Sequence, residues 1–414
     1  MNKHKLLPNI RFKGFEDEWE DTVLGKFVKV YDGVHQTPKY KNNGVPFVSV
    51  ENISNLYTNK FISKSDFDNN FKNSKPTSGD LLMTRIGDIG TVNFVKNNND
   101  LAYYVSLALL KPKTKDFKKY MNSYFLMYLI ESPRTKKELW KRTLHIAFPK
   151  KINKNEISKV NLCICFNWKE QQKIGNLFAK LDKLLGLQRQ NIDKLELLKK
   201  TLLQMLFPKH DTKIPELRFK GFKNEWEKEK LKGYIEKVSG NDGRMNLPTL
   251  TISAAKGWMN QNERFSNNIA GKEQKNYTLL KKGELSYNHG NSKLFKYGVV
   301  YELINYDEAL VPKIYHSFRV NSKASARFIE YLFRGKKVDR ELRKLVTSGA
   351  RMDGLLNINF NNFENIKLYF PEKAEQQKIG NLLSKVDQLI ELENKKLENL
   401  QQFKKCFLQN MFVE

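Results

Sequence analysis

Glu170-Gln171-Gln172-Lys173-Ile174-Gly175-Asn176-Leu177 recurs letter for letter as Glu375 to Leu382, 205 residues further along the chain. A second motif returns at nearly the same offset. Pro8-Asn9-Ile10-Arg11-Phe12-Lys13-Gly14-Phe15, followed by Glu18-Trp19-Glu20, comes back 207 residues later as Pro215 to Phe222 followed by Glu225-Trp226-Glu227. Two matches at almost one spacing mean that a unit about half the chain long has been duplicated. Length alone allows two or three domains in 414 residues; the repeat requires two related halves. Each half opens on RFKGF…W, runs through a long irregular segment and closes on a helical one. The opening motif reads as structural: its Phe and Trp offer apolar anchors, and Gly14 and Gly221 suit turns.

The closing segments, roughly 170–207 and 375–412, carry heptad seams. The first is written through Ile174, Leu177, Leu181, Leu184, Gln188, Asn191, Leu195, Leu198, Leu202 and Met205. The second runs through Ile379, Leu382, Val386, Leu389, Glu393, Lys396, Leu400, Phe403, Phe407 and Asn410. Steps alternate three and four, as in a coiled coil, and both seams turn polar at the same midpoint. Intramolecular antiparallel pairing of these helices is expected, with each one packed only on its own domain as the competing arrangement.

The inner segments, roughly 21–168 and 228–373, hardly resemble each other. Both hold β-rich runs broken by Gly and Asn, such as Val45 to Val50, Leu81 to Thr84, Thr91 to Val95 and Tyr297 to Tyr301. Each also has a helical stretch, near 118–131 and 324–345, and Gly79-Asp80-Leu81 faintly matches Gly283-Glu284-Leu285. The expected fold class is α+β: two mixed α/β domains joined by two long antiparallel coiled-coil helices, with an internal pseudo-twofold repeat. The boundaries are set at 1–168, 169–208, 209–373 and 374–414.

A net charge of +28 points to a phosphate-rich partner, and so to salt-dependent binding. No run approaches the ~18 apolar residues of a membrane span, and Met1 to Pro8 lacks a secretory apolar stretch. A cytoplasmic protein without a membrane role is expected. Its three cysteines read as reduced thiols, because Cys163 and Cys165 have no second close pair to complete a zinc site.

Searching for catalysis finds none. There is no Gly-Lys followed by Ser or Thr, no Pro-Pro for an amino-methyltransferase tetrapeptide, no Gly-x-Ser-x-Gly and no His-Glu-x-x-His. Asp307-Glu308-Ala309-Leu310 begins like a helicase box but lacks its acidic or His fourth residue.

Base edges are read by Arg, Lys, Asn and Gln, whereas phosphate contacts set affinity and position. In the first half the candidates are Arg85, in the turn Thr84 to Asp88, and Lys141, Arg142 and His145. In the second they are Asn288, Asn291 and Lys293, in the polar turn Tyr287 to Lys293, and Arg351, after the basic stretch Arg340 to Lys344.

The order RFKGF…W, divergent domain, EQQKIGNL helix, stated twice, resembles the specificity subunit of type I restriction–modification systems. The likeness spans the whole chain, and the turn Gly79-Asp80-Leu81-Leu82…Arg85…Gly87…Gly90 resembles one found in that family's recognition domains. Phe166-Asn167-Trp168 departs from the family where a proline is usual, in contrast to Phe370-Pro371 in the second copy. The resemblance implies a non-catalytic chain whose two target recognition domains each read half of a bipartite site in double-stranded DNA. The paired helices would set the gap. Two modification subunits would dock on them and methylate adenine N6 with S-adenosylmethionine, and restriction subunits, with ATP and Mg, would translocate and cleave. No cofactor or metal would be bound by this chain. The alternative is a non-catalytic RNA-binding or general DNA-binding scaffold.

Overall fold

The computed structural model describes residues 5–112, 121–209, 212–265, 271–290, 292–346 and 355–414. The chain divides into two compact units, Met1–Arg189 with Lys395–Glu414, and Gln190–Asn394. Each unit therefore takes one end of each long helix, Trp168–Met205 and Lys373–Asn410, both of 38 residues. At 1.5 Å per residue such a helix is about 57 Å long.

In the first unit a four-stranded antiparallel sheet runs in the order Val28–Asp32, Leu107–Pro112, Leu81–Ile86, Asp88–Phe94. The second unit repeats this order with Ile235–Lys237, His316–Val320, Leu285–Asn288 and Val299–Glu302. Side chains alternate across a strand, and here both faces are covered. Leu81, Met83, Ala108 and Leu110 face one core, while Leu82, Leu107 and Leu109 face another. This is why Leu81 to Met83 reads as an unbroken apolar run. The faint Gly-acid-Leu match marks equivalent places. Gly79 and Gly283 hold φ of 99° and 86°, and the acid that follows takes the amide three residues back, Thr77 N to Asp80 and Lys281 N to Glu284, each 2.8 Å. A divergent sequence thus covers a duplicated fold.

A strand after each opening motif pairs with the strand just before each long helix: Glu20–Val23 with Asn161–Ile164, and Glu227–Lys230 with Lys367–Phe370. The helical stretch expected near 118–131 holds Ser123–Glu131, with a further helix, Pro133–Lys141, beyond it, and the one expected near 324–345 is a pair, Ala326–Arg334 with Asp339–Leu345. Cys163, in the strand Asn161–Ile164, and Cys165, just after it, are both buried, and burial pushes the Cys163 thiol up to about 12. Among the described residues no helix is long and apolar enough to cross a membrane, and no three His, Cys, Asp or Glu are grouped to hold a metal ion.

The repeated motifs lock recognition segment to helix inside each unit. Arg11 donates to Glu170 through Nε (2.6 Å) and Nη2 (2.9 Å); Arg218 does the same to Glu375, both at 2.8 Å. Such bidentate pairs are the strong class of ion pair. Gln171 Oε1 accepts the amide of Asn122 at 2.7 Å, and Gln376 Oε1 accepts that of Ser325 at 3.0 Å. Asn122 and Ser325 are the residues that cap Ser123–Glu131 and Ala326–Arg334. Gly175 lies where a Cβ would sit 2.8 Å from Phe125 N, so the two helices meet only because that side chain is missing.

The far helix end completes each core. Trp19 packs edge-on against Phe125 and Phe412, and Trp226 against Phe207. Each opening motif thus grips the end of the other repeat's helix. In the first unit Phe178 stacks on Phe412 and Asp182 pairs with Lys404 at 2.6 Å, so the two helix segments run antiparallel there.

The seams need correction. Ile174, Leu181, Ile379 and Val386 are buried, and Leu195, Leu400, Leu177 and Leu382 are partly so. Leu184, Leu198, Leu389 and Phe403, however, are exposed. The inward stripe of the first helix is Ile174, Phe178, Leu181, Leu185, Gln188, Ile192, Leu195, Lys199, Leu202 and Leu206. Every second position was read correctly, and the ones between lie one residue later. Steps of four then three and of three then four both fit a heptad, and the correct choice requires seating Lys199 inside.

Candidate nucleic-acid interface

Each sheet ends in a hairpin, and in both units its turn end is tied to the chain that follows the second short helix. In the first unit Gly87 N donates to Lys150 O at 2.8 Å, Ile152 N to Arg85 O at 3.0 Å, and Leu144 N to Lys151 O at 2.8 Å. The two segments singled out in the first half, Thr84 to Asp88 and Lys141 to His145, are thereby brought onto one surface. In the second unit Leu356 N donates to His289 O at 2.9 Å, and Gly290 bridges Leu355. The turn Tyr287 to Lys293 therefore meets the chain that follows residues 347–354. Asn291 and Arg351 lie outside the described residues.

Arg85 is a correction. It is buried: its Nε donates to Ile152 O at 3.0 Å and its Nη1 pairs with Asp32. A guanidinium committed inward cannot also grip a base edge, so its task is to hold the 144–152 loop. His289 has the same post in the second unit, buried with Nδ1 2.6 Å from Leu356 O. Asn288 is also occupied: it accepts Gly290 N at 3.0 Å and donates to Ile252 O at 3.2 Å, which shapes the turn.

Other candidates stay at the surface. Lys141 is exposed and pairs with Glu138 at 2.7 Å, a pair that solvent weakens. Half-buried Arg142 reaches Glu156 at 3.3 Å. His145 is exposed, its ring 4.4 Å from that of Trp140. Lys293 is exposed. Sequence reasoning missed Lys150, which lies 4.5 Å over the Trp140 ring, and exposed Lys151. It also missed a cleft of about 630 Å³ in the second unit, lined by Lys237, Lys275 and Lys313 with Asn241, Asn276 and Asn359. Those ammonium groups and amides come from four separate segments, so no local run announces them. Such a lining supplies the donors and acceptors that phosphates and base edges require.

A family model of the type I restriction modification DNA specificity domain matches this chain twice, over residues 16–197 and 223–402. The chain belongs to that family. The two matches cover both halves, as expected of a duplicated specificity subunit, and specificity subunits of type I systems are non-catalytic. An 84-residue stretch is 34% identical to the type I restriction enzyme MjaVIII specificity subunit of Methanocaldococcus jannaschii; it covers 20% of this chain and spans only 19% of that relative. The fold is similar to the crystal structure of the type I restriction–modification S subunit from M. genitalium, with TM-score 0.64 and 12% identity over 99% of both chains. A chain from a structural study of complex assembly and conformational transition of the type I R-M system aligns at TM-score 0.50 and 13% identity, over 94% of this chain and 96% of that one. At these identities the likeness is one of fold.

Proposed function

We propose that this specificity subunit reads a bipartite site in double-stranded DNA for partner enzymes, each unit reading one half-site. The observation that carries this reading is the tied hairpin and loop, built at the same place in both units and furnished with different residues. A constant frame with two variable faces suits two targets, and the charge of +28 suits a duplex. The chain itself performs no catalytic step and acts in the cytoplasm. Two modification subunits, carrying S-adenosylmethionine, methylate adenine at the site, and restriction subunits, with ATP and Mg, join them. Antiparallel pairing of the long helices along their length would fix the gap between half-sites.

The test is a domain exchange. Replacing residues 21–168 with the matching segment of a relative, then mapping methylated adenines in the host DNA, should change one half of the methylated sequence and leave the other. A change in both halves, or in neither, overturns the reading. Purified alone, the chain should neither methylate nor cut DNA; methyl transfer by the chain alone would refute its non-catalytic role.

A further inference from the structure

Ile146 and Phe148 are the most exposed large apolar side chains among the described residues, both essentially bare. They sit at the tip of the 144–151 loop, whose stem is anchored by the Leu144–Lys151 and Gly87–Lys150 backbone bonds and, one residue on, by buried Arg85 on Ile152 O. The loop is held at its base, and its tip is presented to solvent. Around it stand the cations Lys150, over Trp140, Lys151 and Lys141, with the His145 ring against Trp140. Nearby carboxylates are largely answered, Glu138 by Lys141 and Glu156 by Arg142 and Lys159. Asp88, on the adjoining turn, accepts the Thr84 hydroxyl at 3.3 Å.

An apolar tip inside a collar of lysines matches one surface in particular. A protein partner would bury such a tip in an interface, where lysine is depleted. A DNA duplex has anionic phosphates outside and apolar base faces within, and proteins that bend it push Phe, Ile or Leu between base pairs. We propose that Phe148, with Ile146 beside it, is a wedge that enters the base stack at one step of the site read by the first unit, while Lys150 and Lys151 hold flanking phosphates. This rests on the DNA-reading function proposed above. Entry is easiest at pyrimidine–purine steps, which unstack readily, so the wedge would select sequence without a base hydrogen bond. The half-site should contain or adjoin such a step.

The experiment uses the full chain assembled with its modification subunits, and a duplex carrying the site mapped by methylation with 2-aminopurine at each step in turn. The wild-type complex should brighten the probe at one step only. Phe148→Ala, whose side chain touches nothing in the free protein, should leave thermal stability unchanged, abolish that signal and weaken specific binding about tenfold, the size of one lost base–aromatic stack. Phe148→Trp should retain both. A Phe148→Ala complex that binds and brightens like wild type overturns the wedge. So does a variant that no longer assembles with the modification subunits while its own DNA binding is intact, since that would make the tip a protein contact. If the wild-type complex shows no preference for the duplex site at all, it is the DNA-reading function that fails.

Discussion

Where each hairpin meets its loop, a buried side chain reinforces the backbone bonds: Arg85 donates to Ile152 O, and the His289 ring lies against Leu356 O. Arg85→Ala leaves Asp32 with the more distant Lys154, at 3.9 Å, and frees the loop, so the first unit should lose about 3 kcal/mol of stability, the scale of a broken buried pair. Urea unfolding measures this, and the methylated sequence should not change; an altered sequence with unchanged stability would make Arg85 a reader after all. The sequence presents Arg85 as a turn residue because Gly87 follows it, and it gives no sign of Asp32, 53 positions away. Gly175→Ala sets helix propensity, worth up to about 1 kcal/mol in favour of Ala, against a Cβ 2.8 Å from Phe125 N. The clash is with backbone and should win by about 1–3 kcal/mol, visible as a lower unfolding midpoint. His316 is held down to about 4 by burial, helped by neighbouring His289 and Lys237 and opposed by its bond to Ile358 O. Its unfolded value is near 6.5, so the unfolded chain takes up the proton first. The stabilisation from His316 is complete above about pH 6.5 and is lost as pH falls towards 4. Stability curves of wild type and His316→Gln should diverge only in that window, and equal slopes there would refute it.

The long helices make their most specific contacts through charges that a search for apolar periodicity skips. Asp387 accepts Tyr331 Oη and Arg334 Nη1, each at 2.8 Å, and pairs with Lys199. Asp182 accepts Tyr128 Oη at 2.8 Å and Lys404 at 2.6 Å. Removing Asp387 takes the carboxylate from Lys199 and leaves Arg334 with Glu330, so Asp387→Ala should cost the second unit about 3 kcal/mol. Asp182→Ala should cost the first unit less, because Asp182 is more exposed and serves a single lysine. Chemical denaturation of the two variants decides the order, and a larger loss for Asp182→Ala would contradict it. Helix existence and length were legible because 38-residue amphipathic patterns admit little else. The inward stripe was half legible, since Leu184 and Leu185 are equally apolar and only seating Lys199 and Lys404 inside separates them. The duplicated sheet was nearly illegible, because its strands are short and share little beyond Gly-acid-Leu.

Across the whole chain, the first unit is not a continuous stretch of sequence, because Lys395–Glu414 joins Met1–Arg189, although the duplication suggested two consecutive halves. Met411, Phe412 and Val413 are buried with Trp19, Phe125 and Phe178 in the core of the first unit. Deleting Met411–Glu414 should therefore damage the N-terminal unit, by about 3–5 kcal/mol for the loss of Phe412 alone. Limited proteolysis should cut within residues 5–189 first while the 190–394 fragment resists. Preferential cleavage in the second unit would refute the exchange of helix ends.

That exchange also sets a timetable. As the ribosome makes the chain, the first recognition segment emerges with a gap beside Trp19 that stays open until Phe412 arrives. Gln190 to Asn394 must be synthesised in between, roughly 200 residues, which takes about 10–40 s at 5–20 residues per second. The first unit made is therefore not the first unit finished. The second unit is complete once Asn394 has been made, and the first closes only when Phe412 follows, so a chain cut short between the two carries a complete second unit beside an unfinished first.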